Sequence, residues 1–254
     1  SWAGGDGVSM AGWIDQRRAS VAGQIASYTN FAFSLSTGSQ TAGGTPFTVA
    51  GSAPVRVAVI RLNGVEQRVR WTGTTAWEAK VGLSNGVNGL TFEGVDRFGQ
   101  RVGSAQTINV TYNGAAGSPT DLVINEIMYN ATAADANYIE ILNRSGSVTL
   151  DLGGYRINGA DFVFPSGSLI PPGGFAVVAG NTVGYAAKYG NLNGVVGQYN
   201  GSLDNGGETL SLERPVVSGG VTNWFVVDTV TYDDDPPWPG AADGGGASLQ
   251  LIDA

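Results

Sequence analysis

Leu122-Val123-Ile124-Asn125-Glu126-Ile127-Met128-Tyr129 and Tyr138-Ile139-Glu140-Ile141-Leu142-Asn143 decide the fold. Both runs are short, rich in branched aliphatic and aromatic residues, and flanked by Gly, Ser, Asn and Asp. Runs of that length with turn formers on both sides read as strands rather than helices. The same texture recurs at 148–152, 154–157, 175–179, 209–213, 224–232 and 248–252, with Gly, Pro, Asn and Asp clusters between the runs. Residues 120–254 are therefore predicted to close two antiparallel sheets over one apolar interior.

Working upstream, Asn113-Gly-Ala-Ala-Gly-Ser-Pro119 has the small-residue composition of a connector, and we place a linker at 114–119. Before it, Val55–Leu62 runs into Asn63-Gly64 and then Val65–Trp71. Asn-Gly between two such runs is a strong hairpin signal, because both residues tolerate positive φ. Gln67 interrupts the apolar side of the second arm. Strands follow at 77–81 and 90–95, with turns at 84–89 and 96–99; the last strand puts Ile108, Val110 and Tyr112 on one face. Residues 31–113 thus read as a second β-sandwich. Segment 1–30 holds a helix over 9–29, with Ser9 as its cap and Trp13, Ile14, Arg17, Val21, Gln24, Ile25 and Tyr28 three or four apart. Its apolar members are expected to face a core. The fold class is all-β: two immunoglobulin-like β-sandwich domains with a short N-terminal α-helix.

Composition narrows the chemistry. The chain of 254 residues is 42% apolar with 40 glycines, which suits many strands joined by tight turns. It has no cysteine and no histidine. Disulfides, thiolate and imidazole metal sites, and Ser-His-Asp catalysis are thereby excluded. The opening residues lack a signal-peptide pattern, and no apolar run reaches the roughly 20 residues that span a bilayer. We read the sequence as a piece of a longer chain without a membrane segment of its own.

Three parts of the sequence resemble known families. Val123–Tyr129, Tyr138–Asn143 and Leu150-Asp-Leu-Gly-Gly-Tyr-Arg-Ile157 resemble the start of a lamin tail domain. Phe164-Pro165, Pro171-Pro-Gly-Gly-Phe175, Leu203-Asp-Asn-Gly-Gly-Glu-Thr-Leu-Ser-Leu212 and Val227-Asp-Thr-Val-Thr-Tyr232 continue the resemblance. Pro237-Trp-Pro and Asp243–Leu249 match the ending common in its bacterial members. The resemblance implies an immunoglobulin-like sandwich over about 118–254 in a bacterial protein. Asn63-Gly64, Trp71, Trp77, Asp96–Gly99 and Ile108–Tyr112 resemble bacterial immunoglobulin-like modules, which serve as spacers or carbohydrate-associated appendages. Trp13-Ile-Asp-Gln-Arg-Arg18 is similar to the end of the spore-coat-protein-H kinase-like family, whose catalytic part would lie upstream.

Charge separates the halves. Residues 1–117 carry nine Lys/Arg against six Asp/Glu, net +3; residues 118–254 carry four against fifteen, net −11. Eukaryotic lamin tails are associated with DNA and chromatin, but a phosphate backbone is bound through Lys and Arg that displace its counterions. We therefore expect no nucleic-acid partner.

The candidate sites each have a plainer reading. Glu126 and Glu140 on neighbouring strands are a carboxylate pair of the kind glycoside hydrolysis uses, or members of the strand pattern that accept hydrogen bonds. Asp233, Asp234 and Asp235, with Asp204, and with Asn205 and Asp243 in other turns, offer the oxygen ligands of Ca²⁺, or form a solvated acidic loop. Trp71, Trp77, Trp224 and Trp238 could stack on sugar rings or pack in cores; Trp238, in a loop between prolines, is expected to be the exposed one, able to take a ligand or a protein. The glycine runs at 173–174 and 244–246 are turns, since no phosphate-loop Lys-Ser/Thr follows them. Asn109, Asn130, Asn143 and Asn200 head Asn-x-Ser/Thr sequons. We expect no catalytic residue and no cofactor beyond Ca²⁺. The whole reads as an extracellular or cell-surface binding or scaffold fragment, facing a protein or a cell-surface glycan, or alternatively as a carbohydrate-binding module beside an enzyme.

Overall fold

A computed structural model of the chain describes residues 10–115, 117–218 and 221–252, so the proposed cap Ser9 lies outside the described residues. Apart from the helices Met10–Thr29 and Thr182–Tyr189 and two short 3₁₀ turns, the described regular structure is β-strand, arranged in five sheets. The all-β class holds. The chain divides into two units: Ser1–Ser39, Val49–Ala79 and Gly89–Asn109 in one, and Gln40–Thr48, Lys80–Asn88 and Val110–Ala254 in the other.

The helix Met10–Thr29 corrects one expectation. Trp13, Ile14, Val21, Ile25 and Tyr28 are all exposed, so the apolar stripe faces no core among the described residues. Its C-terminal end is tied down through the Tyr28 carbonyl, which accepts the Val55 N–H at 3.0 Å. Arg17 lies over the Trp13 ring at 5.8 Å.

In the first unit the Asn63-Gly64 turn forms as read, with φ of 51° and 84°. It joins Val59–Leu62 to Val65–Glu66, pairing Leu62 with Val65. The expected second arm does not continue to Trp71. Arg70–Trp71 instead pairs with Ala76–Val81 in another sheet, Trp71 opposite Trp77. The change of sheet occurs where Gln67, the residue that broke the apolar alternation, is buried with its N–H on the Ile60 carbonyl. Trp77 is the centre of this unit's core, stacked 5.8 Å from Phe33 and tilted 5.5 Å from Phe92. Its indole reaches over Gly51, where a Cβ would lie 2.6 Å from the ring and against the Ser34 carbonyl oxygen. Glycine at 51 is thus a packing requirement of Trp77. Trp77→Ala is expected to cost about 3–5 kcal/mol and Gly51→Ala about 1–3 kcal/mol in urea unfolding; an unchanged midpoint in either variant would contradict this packing.

The second unit contains a sandwich. One sheet runs, in spatial order, Val195–Gln198, Phe175–Ala179, Tyr138–Asn143, Leu122–Met128 and Leu249–Gln250. The other runs Phe162–Val163, Arg156–Asn158, Glu208–Ser218 and Val221–Tyr232, and Leu150–Asp151 pairs separately with Leu169–Ile170. Period-2 alternation sends Ile139 and Ile141, Ile157, Leu210 and Leu212 inward, where with Ile124, Ile127, Leu152, Phe164, Ile170 and Val178 they form one continuous buried core. A bulge at Asn125 resets the register between Ile124↔Ile141 and Glu126↔Glu140. The Ile124 N–H beside it is taken by the Asp228 carboxylate at 2.7 Å. The parallel step from 175–179 to 195–198 passes through Thr182–Tyr189, capped by the Asn181 side chain on the Val183 and Gly184 N–H groups and ended by left-handed Gly190.

Asn143 fastens this sandwich. Its side chain is fully buried; Nδ2 reaches the carbonyls of Val148, Ile170 and Pro171 at 2.8, 2.9 and 3.1 Å, while Oδ1 accepts the Ser145 N–H at 2.9 Å. That burial rules the Asn143 sequon out as a glycan acceptor in the folded chain. Asn143→Ala would strand several buried carbonyls at about 1–3 kcal/mol each, so a loss of about 3–5 kcal/mol is expected. A loss under about 1 kcal/mol, read by denaturant unfolding, would show that water replaces the amide.

Candidate binding surface

Glu126 and Glu140 are brought directly opposite each other on the outer face of the 122–128/138–143 pair. Direct cross-strand partners have Cβ atoms about 5 Å apart, so spacing alone is compatible with a carboxylate dyad. Their surroundings are those of structural acceptors. Glu126 Oε1 accepts the Tyr138 hydroxyl at 2.6 Å, the Gln250 Nε2–H at 3.1 Å and a short bond from the Ser248 hydroxyl. Glu140 Oε1 accepts Asn125 Nδ2 at 2.8 Å. Desolvation raises the Glu140 carboxyl above its ordinary range; the Asn125 bond opposes this and the Glu126 charge adds to it. Burial, then the bond and charge of Glu126, push the Tyr138 phenol upward. Tyr138 in turn meets Tyr185 and Tyr189 edge-on at 5.5 and 5.4 Å, so the short helix covers this patch of the outer face.

The acidic loop holds Asp233, Asp234 and Asp235 with carboxylate oxygens within 4.8 Å of one another, all exposed. Asp233 accepts the Asp235 N–H at 3.0 Å, which holds its carboxyl below the ordinary range. Asp204 is not drawn into that group. Its side chain accepts the Gly206 N–H at 2.9 Å within its own turn, and its carbonyl takes the Tyr232 hydroxyl at 2.8 Å. Asp243 instead accepts Asn130 Nδ2 at 2.7 Å. Asn130 follows Tyr129, whose ring stacks 4.8 Å from Tyr232, the residue before Asp233, so these carboxylates share one end of the sandwich; burial first, then the charges of Asp243, Asp234 and Asp233, raise the Tyr129 phenol there.

The tryptophans sort differently from expectation. Trp238 is half-buried, packed on the sandwich core and lining a small cleft of about 110 Å³ with Val230 and Leu249. The turn that bonds the Trp238 N–H to the Asp235 carbonyl folds it back, which is why a loop residue between prolines is not free. Trp77 is buried and Trp71, on a two-residue strand, is 43% exposed.

Trp224 occupies the most organised surface. Arg156 lies 4.1 Å over its ring and makes two bonds to Glu213, from Nε at 2.7 Å and Nη2 at 2.6 Å. Asn158 Nδ2 holds the other Glu213 oxygen at 3.2 Å. Trp224, Arg156 and Asn158 line a groove of about 380 Å³ together with Asp161, Phe162 and Val163, with Glu213 buried behind them. Asp161 has φ of 52° in the turn between Arg156–Asn158 and Phe162–Val163. Sequence reading named Trp224 but not Arg156, Asn158 or Asp161. The signal was present in Arg156-Ile157-Asn158, where the apolar residue faces in and its polar neighbours must face out.

The raised Glu140 gives a pH dependence with a definite sign. A carboxyl raised in the fold contributes stability that is present below its unfolded value and lost as pH rises through the folded one. Glu140→Gln keeps the acceptor for Asn125 and removes the charge, so its Tm is expected to exceed the parent's at pH 7 and to converge with it at pH 4 and below. A variant less stable than the parent at pH 7 would show that the charge is needed.

Residues 115–234 match the family model of the Lamin Tail Domain. No curated protein sequence matches the chain. Among solved structures, SGBP-B of the Bacteroides ovatus mixed-linkage glucan utilization locus, in complex with a mixed-linkage heptasaccharide, is similar at 11% identity and a TM-score of 0.22, over 76% of this chain and 42% of that one. The extracellular cadherin domains 1–5 of protocadherin gamma B2 are similar at 12% identity and a TM-score of 0.20, over 79% and 38%. This chain spans less than half the length of either, and likeness of that degree carries no inference about ligands. The match to the family model covers the sandwich apart from its last strand Leu249–Gln250, and takes in the Glu126/Glu140 pair and the Trp224 groove: residues 115–234 of this chain are a lamin tail domain.

Proposed function

We propose that this chain is a non-catalytic binding and presenting module of a larger bacterial protein, working outside the cell or at its surface. In this reading residues 31–113 are one immunoglobulin-like spacer and 120–254 the lamin tail module, joined through 114–119, with segment 1–30 leading in from an upstream domain. One observation carries it. The half-buried carboxylates best placed for acid–base work are engaged by Tyr138, Ser248, Gln250 and Asn125 of their own fold, whereas the groove at Trp224 presents polar groups outward. A hydrolase needs a sugar ring lodged between its carboxylates. Here the two stand side by side on one sheet face, under hydrogen bonds that a substrate would have to break. No helix among the described residues is long and apolar enough to cross a membrane.

The test is turnover. Incubating the chain with insoluble and soluble polysaccharides is expected to release no reducing ends above those of the Glu126→Gln/Glu140→Gln double variant. Product release by the parent that the double variant loses would overturn the reading.

A further inference from the structure

The geometry points to a neutral carbohydrate as the ligand of the Trp224 groove, with Arg156, Asn158 and Asp161 reading its hydroxyls. This rests on the reading of the chain as a binding module and names the class of its ligand.

A pyranose has an apolar C–H face and an edge of hydroxyls, each able to donate and accept. It is therefore bound by a flat, weakly polar wall beside a mixture of donors and acceptors. The groove supplies both. The indole of Trp224 and the guanidinium stacked on it at 4.1 Å form the wall. Arg156 uses Nε and Nη2 on Glu213, which leaves Nη1 without a protein acceptor among the described residues. Asn158 gives its Nδ2 to Glu213 and keeps its Oδ1 as an acceptor. The exposed Asp161 carboxylate is a second acceptor at the rim. Glu213 is 6% exposed and fixes both Arg156 and Asn158, so the polar groups are held in place before a ligand arrives. The outer face continues in hydroxyls: Asn158 is opposite Ser211, which is opposite Thr229 and bonded to it at 3.0 Å. A chain of sugars could run from the groove across the strands.

Charge selects among ligands. Arg156 is neutralised by Glu213, Asp161 adds a negative charge, and residues 118–254 carry net −11, so sulfated or uronic-acid glycans are repelled. A cationic peptide suits the overall charge, but its Lys and Arg side chains only donate hydrogen bonds, whereas the groove sets the Arg156 donor beside the Asn158 and Asp161 acceptors, a mixture that hydroxyls answer in both senses. A neutral ring fits both constraints.

The experiment is a ¹H–¹⁵N correlation titration of the whole chain with cello-, manno-, xylo- and laminari-hexaose, a sulfated hexasaccharide and an oligolysine peptide. At least one neutral oligosaccharide is expected to shift the amides of 156–163 and the Trp224 indole, with none from the sulfated sugar. Trp224→Ala should weaken binding at least tenfold, Trp224→Phe less, and Asn158→Ala several-fold; Trp71→Ala should leave it unchanged. Asn158→Ala removes no packed ring, so it keeps the test decisive if Trp224→Ala unfolds. No shift from any neutral sugar, shifts elsewhere only, or shifts from oligolysine alone would overturn the assignment. None of those results produces the released reducing ends that would overturn the module reading itself.

Discussion

The buried amide of Asn143 is the constraint on which the lamin tail sandwich depends. At the end of the central strand Tyr138–Asn143, its side chain closes over the carbonyls of Val148, Ile170 and Pro171, and its backbone bonds to Gly173 and Gly174 at 3.0 Å each. Two segments, 145–148 and 170–174, that would otherwise bring unsatisfied carbonyls into the interior are thereby held against one residue. With those loops fixed, the inward faces of both sheets can meet without a polar gap, and the outer faces are left as the places where ligands can bind.

Forces of different size divide the labour between the faces. Each fully buried aliphatic or aromatic side chain of the core contributes about 1.5–3 kcal/mol, whereas a like-charge cross-strand pair costs at most about 1 kcal/mol. The interior can therefore carry Glu126 opposite Glu140 on its outer face at little expense, particularly as neutral donors engage both. The same latitude allows the opposite face to keep Arg156, Asn158 and Glu213 in a preorganised polar array beneath Trp224. Stability comes from inside, and the recognition proposed here is a property of the side chains that core packing leaves free.

Much of this architecture was legible in the sequence because it rests on local signals. The alternation in Tyr138–Asn143 and Thr209–Glu213, the Asn63-Gly64 turn and the Asp96–Gly99 turn each express a short-range rule. What escaped reading depended on distant partners. The arm after Asn63-Gly64 changes sheets where Gln67 is buried with its N–H on the Ile60 carbonyl and its side-chain amide on the Arg68 carbonyl, partners that alternation alone does not reveal. Thr182–Tyr189 was missed although Asn181 and Gly190 are ordinary cap residues, because a helix of eight residues carries too short a period. Trp238 looked free between prolines, yet its turn folds it onto the core. Of the sites, the aspartates stood out by adjacency, whereas the Trp224 groove joins residues from positions 156–163 to one at 224, and only the sheet brings them together.

The central claim is a closed interior, organised around Asn143, that leaves function to the surface. Native-state hydrogen exchange across 138–143 and 175–179 tests it most directly. The account requires these amides to exchange only through global unfolding, with free energies equal to that of whole-domain unfolding and matching slopes in denaturant. Exchange of the 139–142 amides through an opening well below the global value would contradict it, since an interior that opens on its own has room for a site within.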